Sequence, residues 1–126
     1  MDTEAKITIS IASDHAGFEL KQVLIAHLRG SGHEVIDLGT HGTDSVDYPD
    51  FAHSLAESIR NGASEMGVLV CGSGIGMSMA ANRNPKIRAG LCKDTDTAML
   101  TRAHNDANVL CLGARVTDSD FIEAIV

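Results

Sequence analysis

Five short runs rich in β-branched and aliphatic residues alternate with stretches whose apolar residues recur every three or four positions. This alternation is the strongest constraint on the fold, because strands separated by helices are long enough apart to pair in parallel. The runs are residues 6–12 (KITISIA), 33–37 (HEVID), 66–70 (MGVLV), 87–91 (IRAGL) and 108–112 (NVLCL). Residues 66–70 are nearly all apolar, as expected of a central strand covered on both faces. Leu20, Val23, Leu24 and Leu28 fall at helical spacing, and Gly30 and Gly32 stop that helix. Pro49-Asp50 opens a second helix carrying Phe51, Leu55 and Ile59, which Asn61-Gly62 ends. Further helices are predicted over 77–83, over 95–103 and, capped by Asp118, over 120–126. The predicted class is α/β: a three-layer α/β/α, Rossmann-like domain around a five-stranded parallel sheet. A length of 126 residues fits a single domain, 1–126.

Sheets of this kind bind ligands at the carboxyl ends of their strands. Four such ends carry unusual residues: Asp14-His15-Ala16-Gly17, Cys71-Gly72-Ser73-Gly74, Cys92-Lys93-Asp94 and Gly113-Ala114-Arg115. The second is the most informative. Gly72, Gly74 and Gly76 alternate after a buried strand and before a helix, which lets the backbone approach a ligand and turns amides toward an anion. A thiol there lies near partial positive charge, which favours the thiolate that a base requires. A buried cysteine followed by glycines chosen for tight packing fits the same letters. His104-Asn105-Asp106 reads either as an acid with an orienting amide or as a helix C-terminal cap. Asp14 reads as an N-cap with a turn glycine, and Tyr48-Pro49-Asp50 as a helix start, unless both are recruited to a site.

The totals exclude several classes. The formal charge is −7, and the aromatics are only Phe18, Tyr48, Phe51 and Phe121, a poor composition for binding nucleic acid. Arg83, Lys86, Arg88, Lys93, Arg102 and Arg115 cluster late in the chain, which suits a small anion or a solvated basic face equally. Cys71, Cys92 and Cys111 are odd in number and wrongly spaced for a disulfide framework or a zinc site. Free thiols fit a reducing compartment, and the acidic start Met1-Asp2-Thr3-Glu4 is unlike a secretory signal, so a cytoplasmic protein is expected. No apolar run is long enough to span a membrane.

Taken in order and spacing, Asp14-His15-Ala16-Gly17, Asp47-Tyr48-Pro49, the 71–76 glycine turn, His104-Asn105-Asp106-Ala107-Asn108-Val109-Leu110 and Gly113-Ala114-Arg115 resemble ribose-5-phosphate isomerase B and its relatives, the galactose-6-phosphate and allose-6-phosphate isomerases. The resemblance runs from about Lys6 to the end. It implies an aldose–ketose isomerase of the pentose phosphate pathway that works through an enediolate without a cofactor or a metal. Cys71 resembles the base that moves a proton between C1 and C2. Some relatives use a glutamate where this chain has Met77, which leaves Cys71 as the candidate. Ser73 resembles the hydroxyl assisting transfer between O1 and O2. Amides around Gly72, Gly74 and Gly76, with Asn105, are implied to stabilise the enediolate oxygen. His104 resembles the residue that opens the furanose ring. Asp14 and Tyr48 are implied to hold sugar hydroxyls, and His15 and Arg115 the phosphate. The resemblance further implies a homodimer or a tetramer, with each site built from two subunits. Relatives continue past the position of Val126 in a tail whose arginines bind phosphate, so a shortened C-terminus is expected. A six-carbon 6-phosphate is the alternative substrate. A nucleotide-binding module is the alternative of another class: Gly72-Ser73-Gly74 is followed by Asp94 and Asp96 at a suitable distance, but Met77 stands where the third glycine belongs. A non-catalytic oligomer of the same fold is the third.

Overall fold

The protein is described by a computed structural model covering residues 6–42 and 44–114. Five parallel strands form one sheet in the order β2-β1-β3-β5-β4. They are β1 (Thr8–Ser13), β2 (Glu34–Asp37), β3 (Met66–Cys71), β4 (Ala89–Leu91) and β5 (Val109–Gly113). The helices between them are α1 (Phe18–Gly30), α2 (Tyr48–Arg60), α3 (Ile75–Ala81) and α4 (Thr95–Asn105). The expected α/β/α architecture and every strand predicted from the sequence are present. The helix predicted over 120–126 lies outside the described residues, as do Thr43 and Arg115.

Strand periodicity divides the core in two. Ile9, Ile11, Val68, Val70 and Leu112 pack with Leu24, Ile25 and Leu28 of α1. Ala12, Leu69, Cys71, Val109 and Cys111 point the other way, into Ala52, Leu55 and Ala56 of α2 and Met77, Ala80 and Ala81 of α3. The right-handed rule for crossovers places α4 on the α1 face, because β4 returns inward to β5.

Three details differ from the sequence expectation, each for a physical reason. The buried stripe of α1 is Lys21, Leu24, Ile25 and Leu28, while Val23 is exposed. Lys21 can occupy a core position because Asp37 neutralises it there. Helix α3 begins at Ile75, two residues early, because Gly74 takes a left-handed φ of 82° that ends the turn sooner. Gly76 is therefore in the first turn of a helix and not in the loop. Helix α4 runs on through His104 and Asn105 and closes at Asp106, itself left-handed at φ 51°.

Candidate active site

The chain leaves β1 toward β2 on one side and leaves β3 toward β4 on the other. Between β1 and β3 the connections therefore diverge, the place at which sheets of this kind bind ligands in a crevice at the strands' carboxyl ends. The residues there are Asp14, just past β1, and Cys71, the last residue of β3.

Cys71 is 5% exposed, and its Sγ accepts the Gly74 amide at 3.1 Å. Its carbonyl takes the Ala114 amide at 2.8 Å, and Gly113 lies opposite it in the ladder. Ser73 Oγ accepts the Ile75 amide at 3.2 Å, which closes the turn over the sulfur. The other two thiols are different. Burial pushes the Cys111 thiol far up, with Cys71 and Cys92 adding to it. Burial also raises Cys92, against a hydrogen bond from Thr97.

Asp14 is 7% exposed and caps the short turn His15–Gly17, its Oδ1 accepting the Ala16 and Gly17 amides at 3.0 and 3.1 Å. The cap reading of Asp14 is thus correct. The turn sits hard on β3: a methyl on Gly17 would fall 2.6 Å from the Val70 carbonyl oxygen. His15 Nδ1 accepts the Val46 amide at 3.2 Å, so in the neutral ring the proton is on Nε2.

Pro49 follows Tyr48 as α2 begins, as the Tyr48-Pro49-Asp50 reading expects. The Tyr48 ring crosses to α3, where a methyl on Gly76 would lie 2.7 Å from its Cζ and 2.9 Å from its hydroxyl. A methyl on Gly74 would likewise meet Leu91 Cδ1 at 2.5 Å. Both glycines are required by close neighbours. Leu91 was not flagged by the sequence reading, and its apolar position at a strand end carries no signal of its own.

One chain does not bring every candidate residue together. Helix α4 descends from the carboxyl end of β4 to the amino end of β5. Its 11 residues put His104 and Asn105 roughly 16 Å down the sheet from the level of Cys71. Both are exposed there. They are firmly held: Arg88 Nε donates to the Asn105 carbonyl at 2.6 Å, and Arg102 reaches Asp106 Oδ1 at 3.0 Å and the Ala107 carbonyl at 2.8 Å. Asn108 bridges the Arg88 amide and the Lys86 carbonyl, both at 2.9 Å.

Among the described residues no group of three or more potential metal ligands converges. No helix among them is long and apolar enough to cross a membrane.

Cys71 under the Gly74 amide, with Asp14, His15 and Tyr48 on segments adjoining the same end of a doubly wound sheet, makes up the candidate site. Comparison with known proteins narrows the class. The family model described as Ribose/Galactose Isomerase matches residues 9–126. Ribose-5-phosphate isomerase B of Escherichia coli is 43% identical over 118 residues, covering 94% of this chain and 79% of that protein. The solved ribose-5-phosphate isomerase B of Thermotoga maritima superposes with a TM-score of 0.94 at 47% identity, covering 96% of this chain and 83% of that one. That of Clostridium thermocellum gives a TM-score of 0.93 at 47% identity, over 94% and 80%. The chain belongs to the ribose/galactose isomerase family, and it is an enzyme of the aldose–ketose isomerase type.

Proposed function

We propose that this protein interconverts ribose 5-phosphate and ribulose 5-phosphate through an enediolate, with Cys71 as the base. The observation that carries this reading is the Gly74 amide donating to Cys71 Sγ at 3.1 Å beneath the switch-point crevice. The amide holds the sulfur at a turn whose glycines let the backbone approach a ligand. The thiolate removes the proton from C2 of the open-chain aldose and returns it to C1. A second proton passes from O2 to O1, for which Ser73 is the nearby hydroxyl. The substrate is its own oxidant and reductant, so the steps balance without an external redox partner. Glycine-turn amides and Asn105 are assigned to the enediolate oxygen, Asp14 and Tyr48 to sugar hydroxyls, and His15 with Arg115 to the phosphate.

The assignment of His104 to ring opening requires a second copy of the chain, because within one chain it stands at the wrong end of the sheet. Exposed apolar residues on α3, β4 and α4 offer surface to receive that copy. Ile75 is 53% exposed, Met79 67%, Leu91 43%, Met99 65% and Leu100 52%, an excess for a protein this acidic. A two-fold pairing over these residues gives a homodimer in which His104 and Asn105 of each chain serve the other chain's thiol. Three free cysteines fit the reducing cytoplasm, where the pentose phosphate pathway operates.

The test is turnover by the purified chain of ribose 5-phosphate, allose 6-phosphate and galactose 6-phosphate side by side. The expected result is a kcat/KM at least about tenfold higher for the pentose, which is roughly 1.4 kcal/mol of discrimination. Preference for either hexose phosphate would reassign the substrate, and no turnover of any would leave the fold without this activity.

A further inference from the structure

Among the described residues, Lys21 is the one charged side chain with no exposure at all. Its ammonium donates to both oxygens of Asp37, at 2.8 and 2.9 Å, and to Gln22 Oε1 at 3.0 Å, and it lies 5.3 Å from the centre of the Phe18 ring. A buried ion pair is a weak source of stability, since apolar residues of similar volume commonly replace one without loss. What such a pair supplies is a fixed geometry, so the question is what Lys21 and Asp37 fix.

Both stand at the carboxyl end of the sheet. Lys21 lies one turn into α1, just after the turn that Asp14 caps. Asp37 ends β2, and its Oδ1 also accepts the Gly39 amide at 3.0 Å. Gly39 and Thr40 then clasp the backbone of Ser13: the Ser13 amide donates to the Gly39 carbonyl at 2.8 Å, and the Thr40 amide to the Ser13 carbonyl at 2.9 Å. Farther along, the Val46 amide is held by His15 Nδ1. The connection from β2 to α2 is thus pinned at both ends to residues adjoining Asp14. It delivers Tyr48, whose ring closes over Gly76.

We propose that the buried Lys21–Asp37 pair is the positioning element that seats the β2–α2 connection against the Asp14 turn, and that it thereby sets the length of sugar phosphate the site accepts. This rests on the sugar-phosphate reading above, in which Asp14, His15 and Tyr48 contact substrate. Lys21 and Asp37 touch none of it. They fix the distance between the wall carrying Asp14 and His15 and the wall carrying Tyr48. A connection released from Asp37 widens the crevice, which penalises a pentose and admits a hexose.

The test uses Lys21→Met/Asp37→Leu, in which two apolar side chains fill the volume of the pair and the Gly39 amide loses its side-chain acceptor. Lys21→Met alone, which removes the fully buried charge and leaves the partly exposed Asp37 to solvent, is the second variant should the pair variant fail to fold. Amide hydrogen exchange and steady-state kinetics on pentose and hexose phosphates are compared with wild type. The expected result is a melting temperature within a few degrees of wild type, faster exchange at Gly39, Thr40 and Val46, a KM for the preferred sugar raised about tenfold with kcat changed less, and a pentose-to-hexose selectivity lowered about tenfold. A merely structural pair would move the melting temperature and leave the selectivity ratio where it was. A folded variant with unchanged exchange at these amides and an unchanged ratio overturns the proposal. Failure of the underlying reading shows separately, as a wild-type chain that isomerises no sugar phosphate; exchange at the three amides then decides the positioning role alone.

Discussion

The Gly74 amide points at the sulfur of Cys71, three residues behind it, at 3.1 Å. Gly74 can do this because its φ of 82° turns the chain back over the end of β3. The same rotation starts α3 a residue later. Replacing Cys71 by Ala removes a small side chain from the top of the core and is expected to leave the fold intact. Activity is expected to fall by about 10²–10⁴-fold, the contribution of a positioned general base. Iodoacetamide with mass mapping checks the sulfur directly. Cys71 is expected to be alkylated before Cys92 and Cys111, whose thiols burial holds in the protonated form. Faster labelling at either of those, or an alanine variant retaining a tenth of the rate, would remove Cys71 from the role.

Tyr48 provides a case in which stability and activity should move apart. Gly76→Ala adds a methyl where the Tyr48 ring already stands, 2.7 Å from its Cζ. Alanine suits a helix better than glycine by about 1 kcal/mol, which offsets part of the strain. The ring, being 39% exposed, can swing outward. The expected outcome is a melting temperature near wild type with KM raised roughly tenfold. Tyr48→Phe, which keeps the ring and drops the hydroxyl, is expected to reproduce part of that rise.

Much of this was legible in the letters. The alternation of periods dictated the sheet, and the rule that ligands bind at strand carboxyl ends marked the ends carrying Asp14 and Cys71 among four candidates. The misreadings have particular causes. Val23 and Lys21 exchanged roles on α1 because a lysine inside the apolar stripe is tolerated only through Asp37, sixteen positions away, and no local pattern announces a partner at that range. The signal was present, since Lys21 precedes Leu24 and Leu28 at the spacing of one helical face. Gly76 looked like loop because glycine disfavours helices, while its reason for being there is the Tyr48 ring. The resemblance put His104 and Asn105 at the thiol's site with groups drawn from two subunits, so their distance from Cys71 within one chain is no misreading. The sheet's direction separates them within a chain, and direction is a property of topology, not of motif.

Asp37 should also mark the acid limit of the fold. Burial by itself would raise its carboxyl, but the Lys21 ammonium and the Gly39 amide outweigh that and hold it below the ordinary value of 3.8. A folded-state value below the unfolded one contributes stability that is present above the unfolded value and is lost as pH falls through the folded one. The melting-temperature gap between wild type and Asp37→Asn is therefore expected to be widest near neutrality and to narrow below about pH 3.8. Scanning calorimetry from acid to neutral pH checks it. A gap that widens on acidification would mean that Asp37 is not ionised in the fold.

Beneath the crevice, Ser10, Ser58 and Ser64 form a closed triangle of hydroxyls at 2.7, 2.7 and 3.1 Å, tying β1 to α2 and to the chain entering β3. It lies in the sheet's interior, away from the reacting groups. Ser10→Ala leaves the other two hydroxyls paired, so the expected cost is about 1–2 kcal/mol of stability with KM unchanged. A change in KM without a change in stability would show that the triangle acts on the site.

The separation of Cys71 and His104 within one chain gives the sharpest test of a shared site. If each thiol works with the histidine of the other subunit, Cys71→Ala and His104→Asn homodimers are both impaired on the cyclic sugar. Mixed by unfolding and refolding together, they form heterodimers in which one site lacks both groups and the other lacks neither. Random pairing in equal amounts then restores about a quarter of wild-type sites, with the KM of wild type. A site built within one chain would give no such recovery, because every site in the mixture would lack one group. The assay is turnover of ribose 5-phosphate before and after mixing, with sedimentation to confirm the dimer. The His104→Asn homodimer should recover further when supplied with acyclic ketose in the reverse direction, since ring opening is the step assigned to that imidazole. Equal impairment in both directions, together with restored activity on mixing, would keep the shared site and take ring opening away from His104.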